Sequence, residues 1–184
     1  HPRTNEAGGA HPSASLLPPI KPIMQKISPF LWFNDQAEEA ANFYIAIFQN
    51  AKILGVTRYG EAGAKAARRP KGSVMTVKFQ LEGQEFMALN GGPVFPMTPA
   101  ISLVVNCQTQ VEVDMLWKKL SAGGEPGQCA WLTDRYGVSW QIVPTTLIDM
   151  INDPDAEKAE RVMQAMLQMK KINIKALQKA YASK

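Results

Sequence analysis

Apolar and polar positions change rhythm several times along the chain. Residues 1–23 (HPRTNEAGGAHPSASLLPPIKPI) are rich in Pro, Gly, Ala and Ser and hold neither a helical nor a strand period. A segment with so little apolar surface to bury does not order itself, so a disordered tail is expected before Met24, from an upstream start or a vector remnant. From Ile27 the pattern sharpens. Ile27–Phe33 (ISPFLWF) reads as a strand. Asn34 and Asp35 can then cap a helix running to about Phe48, with Glu38 completing a capping box. Ala40, Phe43, Tyr44, Ile47 and Phe48 form its apolar stripe at three-to-four spacing. Ile53–Tyr59 reads as a strand and Glu61–Gly72 (EAGAKAARRPKG) as a loop. Val74–Leu81 and Gln84–Leu89 are two strands of a hairpin joined at Glu82-Gly83.

The order then repeats about 74 residues on. Ala100–Val105 is a strand, and Val111–Leu120 a helix with Val113, Leu116, Trp117 and Leu120 on one face, stopped by Gly123-Gly124. A faint middle strand lies near Glu125. Gln128–Thr133 and Val138–Val143 are strands around a turn, Asp134-Arg135-Tyr136-Gly137. A βαβββ unit therefore occurs twice. Matching the halves puts Gly83 on Gly137, Met87 on Gln141, Asn34 on Asn106, Ser28 on Ala100 and Phe30 on Ser102. Such a repeat implies pseudo-two-fold packing around a shared core. The last segment is helical: Asp153 caps, Pro154 opens the first turn, and Val162, Met163, Met166 and Met169 form a stripe. Asn173 can cap a final helix through Leu177 and Tyr181.

Composition narrows the function classes. The chain has 184 residues, 46% hydrophobic and 20% charged, which suits one soluble domain or two half-domains. No apolar run approaches the ~18 residues of a membrane span, so a membrane protein is not expected. The net charge of +4 divides into +1 over 1–23, +3 over 153–184 and zero between. A basic terminal helix of this kind is a solvated face, and no nucleic-acid partner is expected. Both histidines, His1 and His11, lie in the tail. Ser-His-Asp and Cys-His catalysis are therefore excluded, and the commonest transition-metal ligand is missing from the folded part. Cys107 and Cys129 make no disulfide framework and read as residues of a cytoplasmic protein.

Four stretches carry a family resemblance: AEEAANFYIAIF (37–48), FMALNGGP (86–93), DRYGVSWQIVP (134–144) and RVMQAMLQMKKINIKALQKAY (161–181). In order and spacing they resemble the PhnB-like branch of the vicinal-oxygen-chelate superfamily, which holds glyoxalase I, extradiol dioxygenases, and the bleomycin and fosfomycin resistance proteins. The branch is often labelled 3-demethylubiquinone 3-methyltransferase, but the chain has no Gly-rich strand-to-helix turn suited to S-adenosylmethionine. The resemblance implies an α+β fold. Two tandem βαβββ modules, about 27–95 and 98–145, would form a curved mixed sheet with helices on its convex face. They would make a domain over 24–152, with C-terminal helices over 153–184 docked on the domain or on a dimer partner. It also implies a homodimer whose sheets complete a cleft. In metal-using members, two β1-type and two β4-type strands supply four His, Glu or Gln ligands. The matching positions here are Ser28, Met87, Ala100 and Gln141. Only Gln141 could ligate, and one neutral amide does not hold a divalent cation, so neither metal nor other cofactor is expected.

Strand alternation names the cleft residues. Met75, Val77, Phe79 and Leu81 should meet the helices, leaving Thr76, Lys78, Gln80, Glu85, Met87 and Leu89 on the concave side. Ser28, Phe30 and Trp32 join them from the first strand, and Ser102 and Val104 from the fifth, whose Ile101, Leu103 and Val105 should face the core. Leu132, Ser139 and Gln141 come from the last hairpin, with Trp131 and Trp140 on the core side. The expected ligand-binding set is Ser28, Phe30, Trp32, Thr76, Lys78, Met87, Leu89, Ser102, Leu132 and Gln141. A few polar groups among apolar walls suit a small-molecule ligand, here an anionic or aromatic metabolite held without metal. An enzyme of the lyase, isomerase or transferase class, acting on a small oxygenated substrate through Lys78, Glu85 and Gln141, is the alternative. A third reading makes the Met-rich helix an interaction surface. Lys65, Arg68, Arg69 and Lys71 could form an anion-attracting lid, or an ordinary surface loop.

Overall fold

A computed structural model describes residues 25–183. The expectation for residues 1–23 lies outside the described residues. The first module comprises β1 (Phe30–Phe33), α1 (Ala37–Ile45), β2 (Ala51–Arg58), α2 (Glu61–Ala67), β3 (Val74–Leu81) and β4 (Gln84–Asn90). The second comprises β5 (Leu103–Cys107), α3 (Gln110–Leu120), β6 (Glu125–Pro126), β7 (Trp131–Thr133) and β8 (Ser139–Pro144). Each builds a four-stranded mixed sheet, in the order β1-β4-β3-β2 and β5-β8-β7-β6. In each, the first strand runs parallel to the last and the other pairs are antiparallel. The doubled βαβββ plan and the α+β class are as the pattern predicts, with two sheets in place of one continuous one.

Local chemistry explains the elements and the departures from expectation. The β3–β4 turn places Glu82 at φ 46° and Gly83 at φ 86°. Two left-handed central residues match the strand twist of a two-residue hairpin. Phe79 consequently pairs with Phe86 and Lys78 with Met87, as alternation predicts. The expected capping box of α1 does not form: the helix starts at Ala37 after Gln36, with no side-chain cap of its own. Instead Asn90, at the end of β4 and buried, accepts the Ala37 N–H at 2.8 Å and donates to the Val74 carbonyl at 3.1 Å. A tertiary cap satisfies the orphan N–H and ties helix to sheet in one step. The expected loop over 61–72 contains α2, because alanines at 62, 64, 66 and 67 favour helix and Ala64 is buried. Asp155, rather than Asp153, caps the helix that follows. Asn173 caps the last helix as predicted.

Alanines 37, 40 and 41 let α1 lie close on β3, while Val113, Leu116 and Leu120 press α3 onto the second sheet. One core joins the modules. The Tyr44 ring lies 5.4 Å from Trp140 and 6.1 Å from Phe79. At its centre Asp134 is buried, and its carboxylate accepts the Tyr44 hydroxyl at 2.7 Å and the Trp140 indole N–H at 2.8 Å. Its second oxygen accepts the N–H groups of Tyr136 and Val138 at 2.8 and 3.0 Å. A buried carboxylate is tolerable only with such a complement of donors.

Three more helices, α4 (Thr145–Ile151), α5 (Ala156–Leu167) and α6 (Ile174–Ala182), enclose a second core of Ala130, Leu147, Val162, Ile172 and Leu177. Met166 and Met169 pack against it, so much of the methionine stripe is spent inside the chain. Gln110 of α3 clamps the α5–α6 link twice, donating to the Ile172 carbonyl at 3.0 Å and accepting the Ile174 N–H at 2.8 Å.

Removing the Tyr44 hydroxyl takes one donor from a buried charge. Tyr44→Phe should lower stability by about 1.5–3 kcal/mol in urea unfolding, the range for bonds to charged groups. An unchanged midpoint would contradict this role. Stability should also fall with alkali. Burial and then the Asp134 charge push the Tyr44 phenol well above its ordinary value, and burial pushes the Cys107 thiol up to about 12. Both groups are kept neutral by the fold. Their contribution is complete below the unfolded values of about 8.5 for Cys and about 10 for Tyr, and is lost as pH rises toward 12. Urea midpoints measured from pH 8 to 11 should decline, and a flat profile would contradict the assignment.

Candidate functional site

The face of the first sheet turned away from α1 gathers most of the expected ligand-binding residues. Strand register sets Phe30, Met87 and Lys78 in one row, and Trp32, Leu89, Thr76 and Thr57 in the next. Phe30 is 57% exposed, a large apolar ring open to solvent. Trp32 is held in place: its indole N–H donates to the Gly92 carbonyl at 2.9 Å and its ring meets Phe95 edge-on at 5.0 Å. A Cβ at Gly91 would sit 2.3 Å from that ring, so only glycine lets the indole lie flat there. The Lys78 ammonium and the Glu85 carboxylate form an ion pair at 2.8 Å, both half-buried. Thr57 and Thr76 share a hydroxyl hydrogen bond of 2.6 Å. Ser28 is exposed just ahead of β1. The basic segment after β2 is partly tied down, with Lys71 on Glu61 at 3.2 Å and Arg69 on Asn34 at 3.0 Å.

The second sheet contributes less than expected. Gln141 donates to the Ser102 hydroxyl at 2.9 Å, and its ladder neighbours are Val104 and Trp131. Leu132 is not a cleft residue. It is buried in the shared core opposite Trp140, while Trp131 takes the Gln141 side. The turn explains the exchange. Thr133 pairs with Ser139, so five residues, 134–138, form the turn rather than four. A slip of one residue sends every side chain of the strand to the other face. Trp140 is in the core as predicted, and Trp131 is not. Ile101 also departs from expectation: it is 77% exposed, because β5 begins only at Leu103.

The register revises the matching of the modules. Phe30 pairs with Met87 and Val104 with Gln141, so Phe30 corresponds to Val104 and Ser28 to Ser102, two residues past Ala100. The four positions that would carry metal ligands are then Ser28, Met87, Ser102 and Gln141. Two hydroxyls, a thioether and an amide carry no negative charge and no imidazole. This donor set does not fit a divalent ion.

Sequence reasoning missed two features. One is the Asp134 junction, signalled only by a carboxylate beside an aromatic-rich turn. The other is a groove of about 940 Å³ between the modules, which takes in Ser102 alone of the expected binding residues.

The family described as 3-demethylubiquinone-9 3-methyltransferase matches residues 25–143. The chain belongs to that family. Its PhnB-like character holds with a solved structure, a putative 3-demethylubiquinone-9 3-methyltransferase, PhnB protein, from Bacillus cereus. That protein is 39% identical with a TM-score of 0.57, over 65% of this chain and 99% of its own. A Pseudomonas aeruginosa protein at 22% identity, TM-score 0.53, covering 65% of this chain and 97% of its own, shares the fold. No curated protein matches the chain. The family match ends before α4, so the three C-terminal helices are an addition to the matched region.

The neutral donor set makes a direct prediction. After incubation with Ni, Zn, Fe, Mn or Mg ions, elemental analysis and native mass spectrometry should find well under one ion per chain. One tightly held ion would show that the ligand positions are wrongly matched.

Proposed function

We propose that this PhnB-like chain binds a small anionic or aromatic metabolite on the open face of its first sheet, without a metal ion. The observation that carries the reading is the shared face itself: Phe30, Trp32, Met87 and Leu89 as walls, with Lys78 and Thr76 among them. An aromatic body would lie on Phe30 and Met87. An acidic group would draw on the Lys78 ammonium in competition with Glu85, a half-buried pair at 2.8 Å. The reading extends to a homodimer. Among the described residues nothing covers this face, and β1 and β5 stand at sheet edges with a ladder partner on one side only. Exposed apolar side chains lie on these strands, Phe30 on β1 and Val104 on β5. A second copy laid over the face would enclose the ligand and cover that surface. The cytoplasm is the compartment proposed, on two cysteines that remain free.

The enzymatic alternative has less behind it. Lys78 and Glu85 are together, but Gln141 belongs to the other sheet and is engaged by Ser102.

Sedimentation should find a dimer at micromolar concentration, and Phe30→Glu should shift it to monomer while leaving the circular-dichroism spectrum unchanged. A thermal-shift screen of aromatic and carboxylated metabolites should yield ligands whose effect falls at least tenfold in Lys78→Ala or Trp32→Ala. Ligands that stabilise both variants as fully as the parent chain would refute the site.

A further inference from the structure

The groove between the modules differs in charge from the rest of the chain. Its volume of about 940 Å³ lies within the ~300–1,000 Å³ usual for small-molecule sites. Its floor is aromatic: the half-buried Phe48 ring stacks at 5.8 Å and 27° on Trp140, with the buried rings of Trp140 and Phe86 beneath it. Two carboxylates stand on its walls. Glu82, in the β3–β4 turn, accepts the N–H groups of Gln49 and Asn50 on one oxygen at 3.1 and 3.3 Å. Glu112, in the first turn of α3, accepts the Gln108 N–H at 2.7 Å. Backbone donors thus fix both side chains in place as hydrogen-bonded anions. Among the described residues, no lysine, arginine or histidine lines the groove, although the chain as a whole carries +4. Neither carboxylate has an ion-pair partner among the described residues.

We propose that this groove is a second binding site, distinct from the face of the first sheet, and that it takes a flat aromatic cation. An aromatic floor attracts a positive ring system through its quadrupole, and two fixed carboxylates add a charge complement that an anion would meet as repulsion. The two sites are opposite in preference. Lys78 suits an acidic ligand on one, and Glu82 and Glu112 suit a basic ligand in the other.

The test uses the full chain, with proflavine as the flat cation and 1-anilinonaphthalene-8-sulfonate as the anionic comparison. Proflavine fluorescence should saturate at one dye per chain. Affinity should fall at least tenfold in the Glu82→Gln, Glu112→Gln pair, whose amides keep an acceptor for the same N–H groups. Met115→Trp, a substitution on the partly exposed wall of α3, should block the dye by filling the groove, whereas Lys78→Ala should leave it unchanged. Thermal midpoints close to the parent value establish that the variants fold. Sulfonate binding as tight as proflavine, or proflavine binding unaffected by the Gln pair or by Met115→Trp, would overturn the proposal. So would dependence on Lys78, which would return the dye to the sheet face. Absence of proflavine binding in a chain that sediments as a dimer would also overturn it, leaving a second copy as the occupant.

Discussion

The two modules are joined through one buried carboxylate. Asp134 takes hydrogen bonds from Tyr44 of the first module and from Trp140, Tyr136 and Val138 of the second. A carboxylate moved from water into a core without partners would cost several kcal/mol, so all four donors must be in place together. The same residue closes the β7–β8 turn through its own N–H, which donates to the Val138 carbonyl at 2.9 Å. That five-residue turn decides which faces of β7 look inward. The inter-module junction and the lining of the second sheet are therefore consequences of one local geometry.

A different constraint governs the far side of β7. Cys129 and Ala130 adopt φ of 54° and 73°, left-handed values that each cost a non-glycine residue roughly 1–2 kcal/mol. Their N–H groups donate to the carbonyls of Met169 and Lys170 at 2.7 and 2.9 Å. The link between α5 and α6 thus holds the backbone that leads into β7. The added C-terminal helices are a brace on the second module, fastened also by the Lys171–Asp114 ion pair at 2.6 Å. Among the described residues the first module has no such addition, and its sheet keeps an open face of mixed apolar and polar lining.

Much of the fold was legible because each module's rhythm is strong. Alternation from Val74 to Leu89 with Glu82-Gly83 between leaves only one hairpin register that buries Val77, Phe79, Leu81, Phe86 and Ala88 together. The same alternation placed Thr76, Lys78, Met87 and Leu89 on one face. Legibility failed where tertiary partners override local signals. The cap of α1 comes from Asn90, 53 residues away, so Asp35 and Glu38 misled. Leu132 was misplaced because a turn's length, four residues or five, cannot be counted from turn formers alone. Ala100 was misplaced because matching the halves through Asn34 and Asn106 slips by two residues against the actual ladder. The groove between the modules left no sequence signal, since it brings buried aromatics such as Phe86 and Trp140 together with turn and helix-end residues such as Glu82 and Glu112, which no single period groups.

Methionine methyl groups report on each region separately. Met87 lies on the face of the first sheet, Met115 in the groove between the modules, and Met166 and Met169 beside the C-terminal core. The most direct measurement is a methyl NMR titration of the chain, labelled at methionine and treated with a chelator, against a panel of aromatic carboxylic acids. Metal-free binding on the first sheet predicts that the Met87 resonance shifts saturably while those of Met115, Met166 and Met169 stay in place. Saturable shifts confined to the other methyls, with Met87 unmoved, would contradict it.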